Sequence, residues 1–302
     1  MTQIQETYPI NTENQIIAYG AQMQSNGRAK ETITTAITRL KRLAKLADLN
    51  NPEQTKKAIA TLTAKNSTKQ TLARIYGEYL KYIEKQWNPP HYKKENTLPF
   101  IPTETEIDSL ISAASPRIAA LLQLLKETGA RIGEIDFLQW KHIDQERKAI
   151  TITAEKGSNS RILPLSNKAL AMLNALKKTT NKVFNSYKHG LRNNYLTIRK
   201  RTAQKLQNPR INNITLHTFR HYKGTMEYHK TKDILHVQVV LGHKNIQSTM
   251  IYINLEQALY LTENDQFTCK IAHNETEAIQ LIETGFDYIT DIGQNKLFRK
   301  RK

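Results

Sequence analysis

From Asn14 to Tyr82 apolar residues return every three or four positions, the period of helices that bury one face. Ile33, Ile37 and Leu40 form one such series, continued by Leu43, Leu46 and Leu49. Asn50-Asn51-Pro52 interrupts it, with Asn51 placed to cap a helix that opens on Pro52. Ile59 and Leu62 mark the next series; Leu72, Ile75, Tyr79, Leu80 and Ile83 mark the last, behind a capping candidate at Ser67. Residues 1–84 are therefore expected to form a small helical bundle behind a loose polar arm. Lys41, Lys45, Lys56, Lys57, Lys65, Lys69 and Lys81 lie on its outer faces.

The pattern breaks over residues 85–100, where two adjacent prolines and a charge run cannot continue a helix, so this stretch is read as a linker. A second domain is expected over residues 101–261. Thr103 and Glu106 have the spacing of a capping box, Pro116 opens an apolar helix, and Gly129 ends it. A short helix over 130–135 then carries Arg131 among apolar neighbours, with Glu134 three residues on as its carboxylate partner. Over 148–165 the period changes to two. Ile150 and Ile152 alternate with polar residues, Gly157-Ser158-Asn159 supplies turn chemistry, and an apolar strand returns from Ile162 to Leu165. This predicts a hairpin with Lys156 near its tip. Residues 167–178 read as helix, 187–206 as a very basic segment, and Leu255–Leu261 as helix. Residues 262–302 read as a small α/β extension: a strand through Phe267, Cys269 and Ile271, a helix from Thr276 to Glu283, and a hairpin turning at Gly293-Gln294-Asn295. The fold class is mainly α with a small β-hairpin or sheet, divided into a helical N-terminal domain and a mixed α+β domain.

Charge narrows the function. The chain of 302 residues carries a formal +18, with +7 on residues 1–95, +12 on 96–261 and −1 on the remainder. Two basic modules favour a polyanionic partner, most simply double-stranded nucleic acid clamped between them. The single cysteine, Cys269, excludes an intramolecular disulfide and suits a reducing cytosol, and neither a signal peptide nor a membrane span is visible.

The chemistry concentrates in Thr215–Asn254, which holds His217, Arg220, His243 and Tyr252. Two imidazoles, a guanidinium and a phenol in one span suit reaction at a phosphate, since arginine offers planar donors and tyrosine can form a covalent intermediate. His217 and His221 also have the spacing of a helical zinc site. However, Thr218 stands where a zinc protease carries its glutamate, and Arg220 between them opposes a cation. Neither metal nor cofactor is expected. His221 reads as a packing or supporting residue, and His142, His189 and His229 as surface residues.

In chain order the set is Gly-Ala-Arg131-Ile-Gly-Glu134, Lys156-Gly ahead of Arg161-Ile-Leu-Pro-Leu, His217-Thr-Phe-Arg220-His221, Leu241-Gly242-His243, and Tyr252 nine residues later. Over about residues 101–260 this resembles the tyrosine recombinases, the family of phage-type integrases, with wording most similar to archaeal members. The resemblance implies a core-binding helical domain ahead of a catalytic domain. It implies Tyr252 as the nucleophile forming a 3′-phosphotyrosine, Arg131 and Arg220 as the phosphate clamp, and Lys156 as the acid for the leaving 5′-oxygen. Lys141 and Lys148 are its rivals, though neither sits at the turn. His217 and His243 become hydrogen-bond donors or proton carriers, and Glu134 holds Arg131. It further implies a homotetramer on two recombination sites, with accessory DNA-bending proteins a possibility. The expected activity is integration or excision of a mobile element. The alternatives are chromosome-dimer resolution, a type IB topoisomerase, and a catalytically silent DNA-binding architectural protein.

Overall fold

The structure, a computed structural model, describes residues 10–93, 97–155, 157–184, 188–260 and 267–301. The chain divides into two compact units, Met1–Thr97 and Leu98–Lys302. The first holds four helices: α1 (Ile10–Ser25), α2 (Lys30–Ala44), α3 (Pro52–Thr61) and α4 (Asn66–Tyr82). Asn51 caps α3 as expected, its side chain accepting the Gln54 amide at 3.1 Å. Ser67 caps nothing, because α4 starts one residue earlier with Lys65 at its N-cap. Ile16, Leu40, Leu43, Leu72, Tyr76 and Tyr79 fill the core, and the Tyr76 hydroxyl donates to the Leu49 carbonyl at 2.8 Å. Part of the stretch read as a linker packs onto this bundle. Trp87 meets Tyr76 edge-on at 4.9 Å, and the Tyr92 amide donates to Gln70. Gly77 leaves room for that indole, whose Nε1 lies 3.1 Å from where a Cβ would stand.

The second unit begins with α5 (Glu104–Ser112), α6 (Pro116–Thr128) and the short α7 (Ile132–Asp136). The Thr103–Glu106 capping box closes reciprocally: Thr103 Oγ1 accepts the Glu106 amide, and the Glu106 carboxylate accepts the Thr103 amide. Asn208 and Arg210 also donate to Glu106, which is how a carboxylate that is only 6% exposed stays satisfied. Gly129 ends α6 in the left-handed conformation at φ +59.

Three antiparallel strands follow in spatial order, β1 (Ile143–Asp144), β2 (Ala149–Ile152) and β3 (Arg161–Pro164). The periodicity foretold only β2 and β3, since a two-residue strand has no period to read. The face assignment on β3 also differs from a simple apolar-in reading: Arg161 is buried and Ile162 is 72% exposed. Arg161 pairs opposite Ile152, and a buried carboxylate described below draws it inward.

Helices α8 (Asn167–Asn174), α9 (Lys188–Lys205), α10 (Thr218–Thr231), α11 (Ile234–Leu241) and α12 (Ile251–Leu259) complete the helical part. The core joins Leu121, Leu124 and Leu125 of α6 to Tyr195 of α9 and Phe219 of α10, and the Tyr195 hydroxyl donates to the Ile214 carbonyl at 2.6 Å. On α9, Arg192, Lys200, Arg201 and Lys205 face solvent, while Arg199 turns to the Ile214 carbonyl at 3.1 Å. The C-terminal residues form β4 (Phe267–Ala272), α13 (Glu275–Glu283), β5 (Asp287–Ile292) and β6 (Asn295–Arg301), with β6 central in the sheet. A small separate core of Ala272, Ala278 and Phe298 holds them. Among the described residues no helix is long and apolar enough to cross a membrane.

Replacing Thr103 by Ala removes one half of the capping box and is expected to cost about 1 kcal/mol of unfolding free energy. Urea unfolding followed by circular dichroism measures it, and an unchanged midpoint would show that the α5 cap contributes nothing.

Candidate active site

Arg131 sits just ahead of α7 in extended backbone (φ −74, ψ 147), not on the helix as the sequence suggested. Its amide donates to Glu134 Oε2 at 2.9 Å, whereas its guanidinium reaches Oε1 at only 3.4 Å. The main partner of Glu134 is Arg161. Arg161 Nη2 donates to Oε2 at 2.8 Å and Nη1 to Oε1 at 3.3 Å, while Ser158 Oγ donates to Oε1 at 2.8 Å. Burial pushes the Glu134 carboxyl up, but the Arg161 hydrogen bonds and the Arg131 amide outweigh it and hold the group below the usual carboxylate range. Glu134 is therefore an ionised buried hub that fixes the backbone of Arg131 and draws in the β2–β3 turn.

The same turn is anchored at a second point. The Asn159 amide donates to the Gly242 carbonyl at 3.0 Å. Gly242 caps α11 at φ +68, and a Cβ there would stand 2.6 Å from the Asn159 carbonyl oxygen and 2.9 Å from Arg161 Nη1. Glycine satisfies both the left-handed turn and the close approach. The proposed acid Lys156 lies outside the described residues.

His217 stands at the N-terminus of α10, and Arg220 one turn inside it. Arg220 is 2% exposed. Its Nη1 donates to the Gly129 carbonyl at 2.9 Å and its Nη2 to the Leu241 carbonyl at 2.6 Å. These carbonyls lie at the C-terminal ends of α6 and α11, where the helix dipole favours a cation. Burial, then the nearby Arg131, lowers the Arg220 guanidinium to about 10, which leaves it charged at neutral pH.

The histidines respond in the opposite sense. Burial and then the charges of Arg220 and Arg131 lower His217. Burial first, then the same arginines, takes His243 to about 3, and its Nδ1 is bonded to Thr249 Oγ1 at 2.9 Å. Burial, then His217 and Arg220, takes His221 to about 4. His221 packs edge-on against His217 at 4.8 Å, and its buried Nδ1 has no hydrogen-bond partner among the described residues. All three rings are therefore neutral at physiological pH, beside two arginines that supply the positive charge.

Tyr252 lies on α12, 1% exposed, among Val237, Leu241 and Leu255. Burial raises its phenol to about 12, against the pull of Arg220 and Arg131. The ring rests directly on Gly224 of α10, where a Cβ would fall 2.3 Å from Cζ and 2.6 and 2.8 Å from the two Cε atoms. The hydroxyl-bearing end of the phenol thus occupies the volume that any other residue at 224 would fill. Five of the six residues singled out from the sequence converge here: Arg131, His217, Arg220, His243 and Tyr252. Sequence reading missed Arg161 and Gly224. A polar residue opening an apolar strand hinted at Arg161, but nothing local marked Gly224.

Two outcomes follow from this geometry. Gly224→Ala displaces the Tyr252 ring, and in the nucleophilic role that the resemblance implies for Tyr252, covalent capture of a duplex phosphate is expected to fall on the order of 100-fold, the cost of an ångström-scale misplacement. Single-turnover adduct formation measures this, and a wild-type rate would show that the ring does not need this seat. For the histidines, the unfolded chain takes up a proton near the ordinary imidazole value of 6.5, whereas folded His221 does so only near 4. Stability is therefore full above pH 6.5 and falls as pH drops from 6.5 toward 4. His221→Gln removes one such group, so its thermal midpoint is expected to decline less steeply across that window than the wild type's.

The sequence model described as the phage integrase family matches residues 102–258. Tyrosine recombinase XerC of Natranaerobius thermophilus is 31% identical over 185 residues, covering 55% of this chain and 62% of that protein. Tyrosine recombinase XerA of Pyrococcus horikoshii is 27% identical over 216 residues, covering 67% of each. The chain thus spans about two thirds of the length of these relatives. In fold it is similar to the integrase of the transposon Tn1549 bound to transposon right-end DNA, with a TM-score of 0.62 and 14% identity over 89% of this chain and 98% of that one. It is similar also to a lambda integrase dimer bound to a core site, with a TM-score of 0.63 and 14% identity over 80% of this chain and 76% of that one. With the matched span enclosing every motif from Arg131 to Tyr252, the chain belongs to the phage integrase family, the tyrosine recombinases.

Proposed function

We propose that this protein breaks and rejoins double-stranded DNA as a conservative site-specific recombinase. The observation that carries the reading is the placement of the Tyr252 phenol under the field of Arg131 and Arg220, beside two neutral imidazoles. In the proposed step Tyr252 Oη attacks the scissile phosphorus and the P–O5′ bond breaks. The product is a 3′-phosphotyrosine and a free 5′-hydroxyl. The two guanidiniums neutralise charge on the non-bridging oxygens, a task in which preorganised charge contributes most. Neutral His217 can accept the Tyr252 proton, and His243 can donate to the phosphate through the ring nitrogen not held by Thr249. Lys156 is proposed to protonate the departing 5′-oxygen. The phosphotyrosine conserves the bond energy, so a 5′-hydroxyl from a second duplex can reverse the step without a nucleotide cofactor.

The basic face of α9 and the lysines of the N-terminal helices suit contacts along the phosphate backbone. A solved relative is a lambda integrase tetramer bound to a Holliday junction, and by analogy four protomers of this chain are proposed to act on two sites. The β4–α13–β5–β6 extension, beyond the matched span, favours an element-encoded integrase. The resemblance to XerC and XerA favours chromosome-dimer resolution as the second reading.

A labelled cognate duplex nicked beside the scissile phosphate tests the core of the proposal. Wild-type protein is expected to form a covalent protein–DNA adduct and Tyr252→Phe to form none, with duplex affinity unchanged. Binding without any adduct would instead support a silent architectural protein.

A further inference from the structure

Helix α12 carries the nucleophile yet buries little of itself. Its buried residues are Tyr252, Leu255 and Glu256, whereas Asn254, Gln257, Ala258 and Leu259 face solvent. Tyr252 and Glu256 are one turn apart and share the face turned to α10. Glu256 is 5% exposed, an unusual place for a carboxylate. It meets the C-terminal end of α10, where His229 Nδ1 lies 2.9 Å from Oε1 and 3.1 Å from Oε2, and Lys232 Nζ donates to Oε1. Lys232 ends α10 at φ +54, a left-handed conformation that favours glycine, with its amide donating to the Tyr228 carbonyl at 2.8 Å. The His229 ring also lies against Tyr260, just past α12, with centroids 4.0 Å apart. His229, which the sequence placed among surface residues, thus grips the nucleophile helix at two points.

Packing alone does not call for this arrangement. An apolar side chain of similar volume would bury the same area without the cost of desolvating a carboxylate. What the charge cluster adds is direction, since an ion pair with two donors fixes the position of α12 along α10 where an apolar contact lets it slide. The Gly224 seat tolerates no such slip, because the phenol and the α10 backbone are already in close contact. We infer that Glu256, held by His229 and Lys232, is a positioning residue that sets α12 in the register at which Tyr252 faces the phosphate. It touches no reacting atom and acts through the helix. The inference rests on the recombinase reading above.

The test separates nucleophile placement from phosphate activation. Two reactions are followed on saturating cognate DNA: adduct formation on the nicked duplex, and ligation of a strand ending in a 3′-p-nitrophenyl phosphate to a 5′-hydroxyl. The ligation is run in a Tyr252→Phe background, where the 5′-hydroxyl displaces p-nitrophenolate directly with the arginines and histidines in place, and Tyr252→Phe alone serves as its reference. Glu256→Ala is expected to slow adduct formation about 10-fold or more while leaving the ligation within about 3-fold of the reference, the pattern of lost orientation rather than lost charge stabilisation. Glu256→Gln, which keeps the size and the hydrogen-bonding oxygen, is expected to recover part of the rate. If Glu256→Ala does not fold, His229→Gln combined with Lys232→Met removes the same grip from exposed positions and is expected to show the same split. Equal loss of both reactions would overturn the inference and make Glu256 a general fold residue, and unchanged adduct formation would overturn it as well. Failure of the wild-type protein to form any adduct would instead strike the recombinase reading itself.

Discussion

Arg220 is the interaction on which this site depends. Its guanidinium is almost fully buried and bound to the Gly129 and Leu241 carbonyls, so one side chain joins the C-terminal ends of α6 and α11 to α10. Those three helices carry or adjoin Arg131, His243 and the Tyr252 seat. Removing the guanidinium would leave two buried carbonyls unpaired, at a cost of order 1–3 kcal/mol each, before any effect on a phosphate is counted. The charge proposed to meet the phosphate is thus also the charge that holds the walls of the site. A rigid cation in a water-poor position costs no reorganisation when negative charge develops beside it.

A second constraint follows from packing so much positive charge together. Arg131 and Arg161 lie close enough to Arg220 and His243 to lower both. Glu134 offsets part of this, bonded to Arg161 through both oxygens and to the Arg131 backbone. The carboxylate is spent mainly on Arg161 rather than on the Arg131 guanidinium, 3.4 Å away. Arg131 therefore stays 30% exposed at its side chain, oriented through its backbone but not neutralised. A tighter pairing would mask the charge that the proposed mechanism sets against the phosphate.

These two features explain what the sequence could and could not disclose. Arg220, His217, His243 and Tyr252 were legible because their spacing within one span already suggests chemistry at a phosphate. The Thr103–Glu106 box and the Gly129 cap were legible because both are local rules of backbone hydrogen bonding. What escaped depends on contacts between distant segments. Arg161 lies 27 residues from Glu134, and alternation with the buried Leu163 and Leu165 puts position 161 on the inner face without naming the carboxylate that satisfies an arginine there. Gly224 matters only because Tyr252 lands on it, and Glu256 only because the end of α10 reaches it. A two-residue strand such as β1 offers no period at all.

Burial of Tyr252 sets the balance between protection and reactivity. A phenol raised to about 12 is a poor nucleophile by itself, and the same burial that raises it strengthens the pull of Arg131 and Arg220 in the opposite direction. With no phosphate present, burial prevails and the phenol keeps its proton at neutral pH. In the proposed step the phenolic proton leaves as the new bond to phosphorus forms, and His217, its pKa lowered by burial and by Arg220 and Arg131, is the proposed acceptor. Under that proposal reactivity is conditional on substrate being in place, as suits a reaction whose intermediate is a broken DNA strand. That condition holds only while the phenol stays in register with the arginines. The fit of ring against Gly224 is therefore part of the chemistry, since a phenol a short distance out of place would keep its high pKa and lose the charges that offset it.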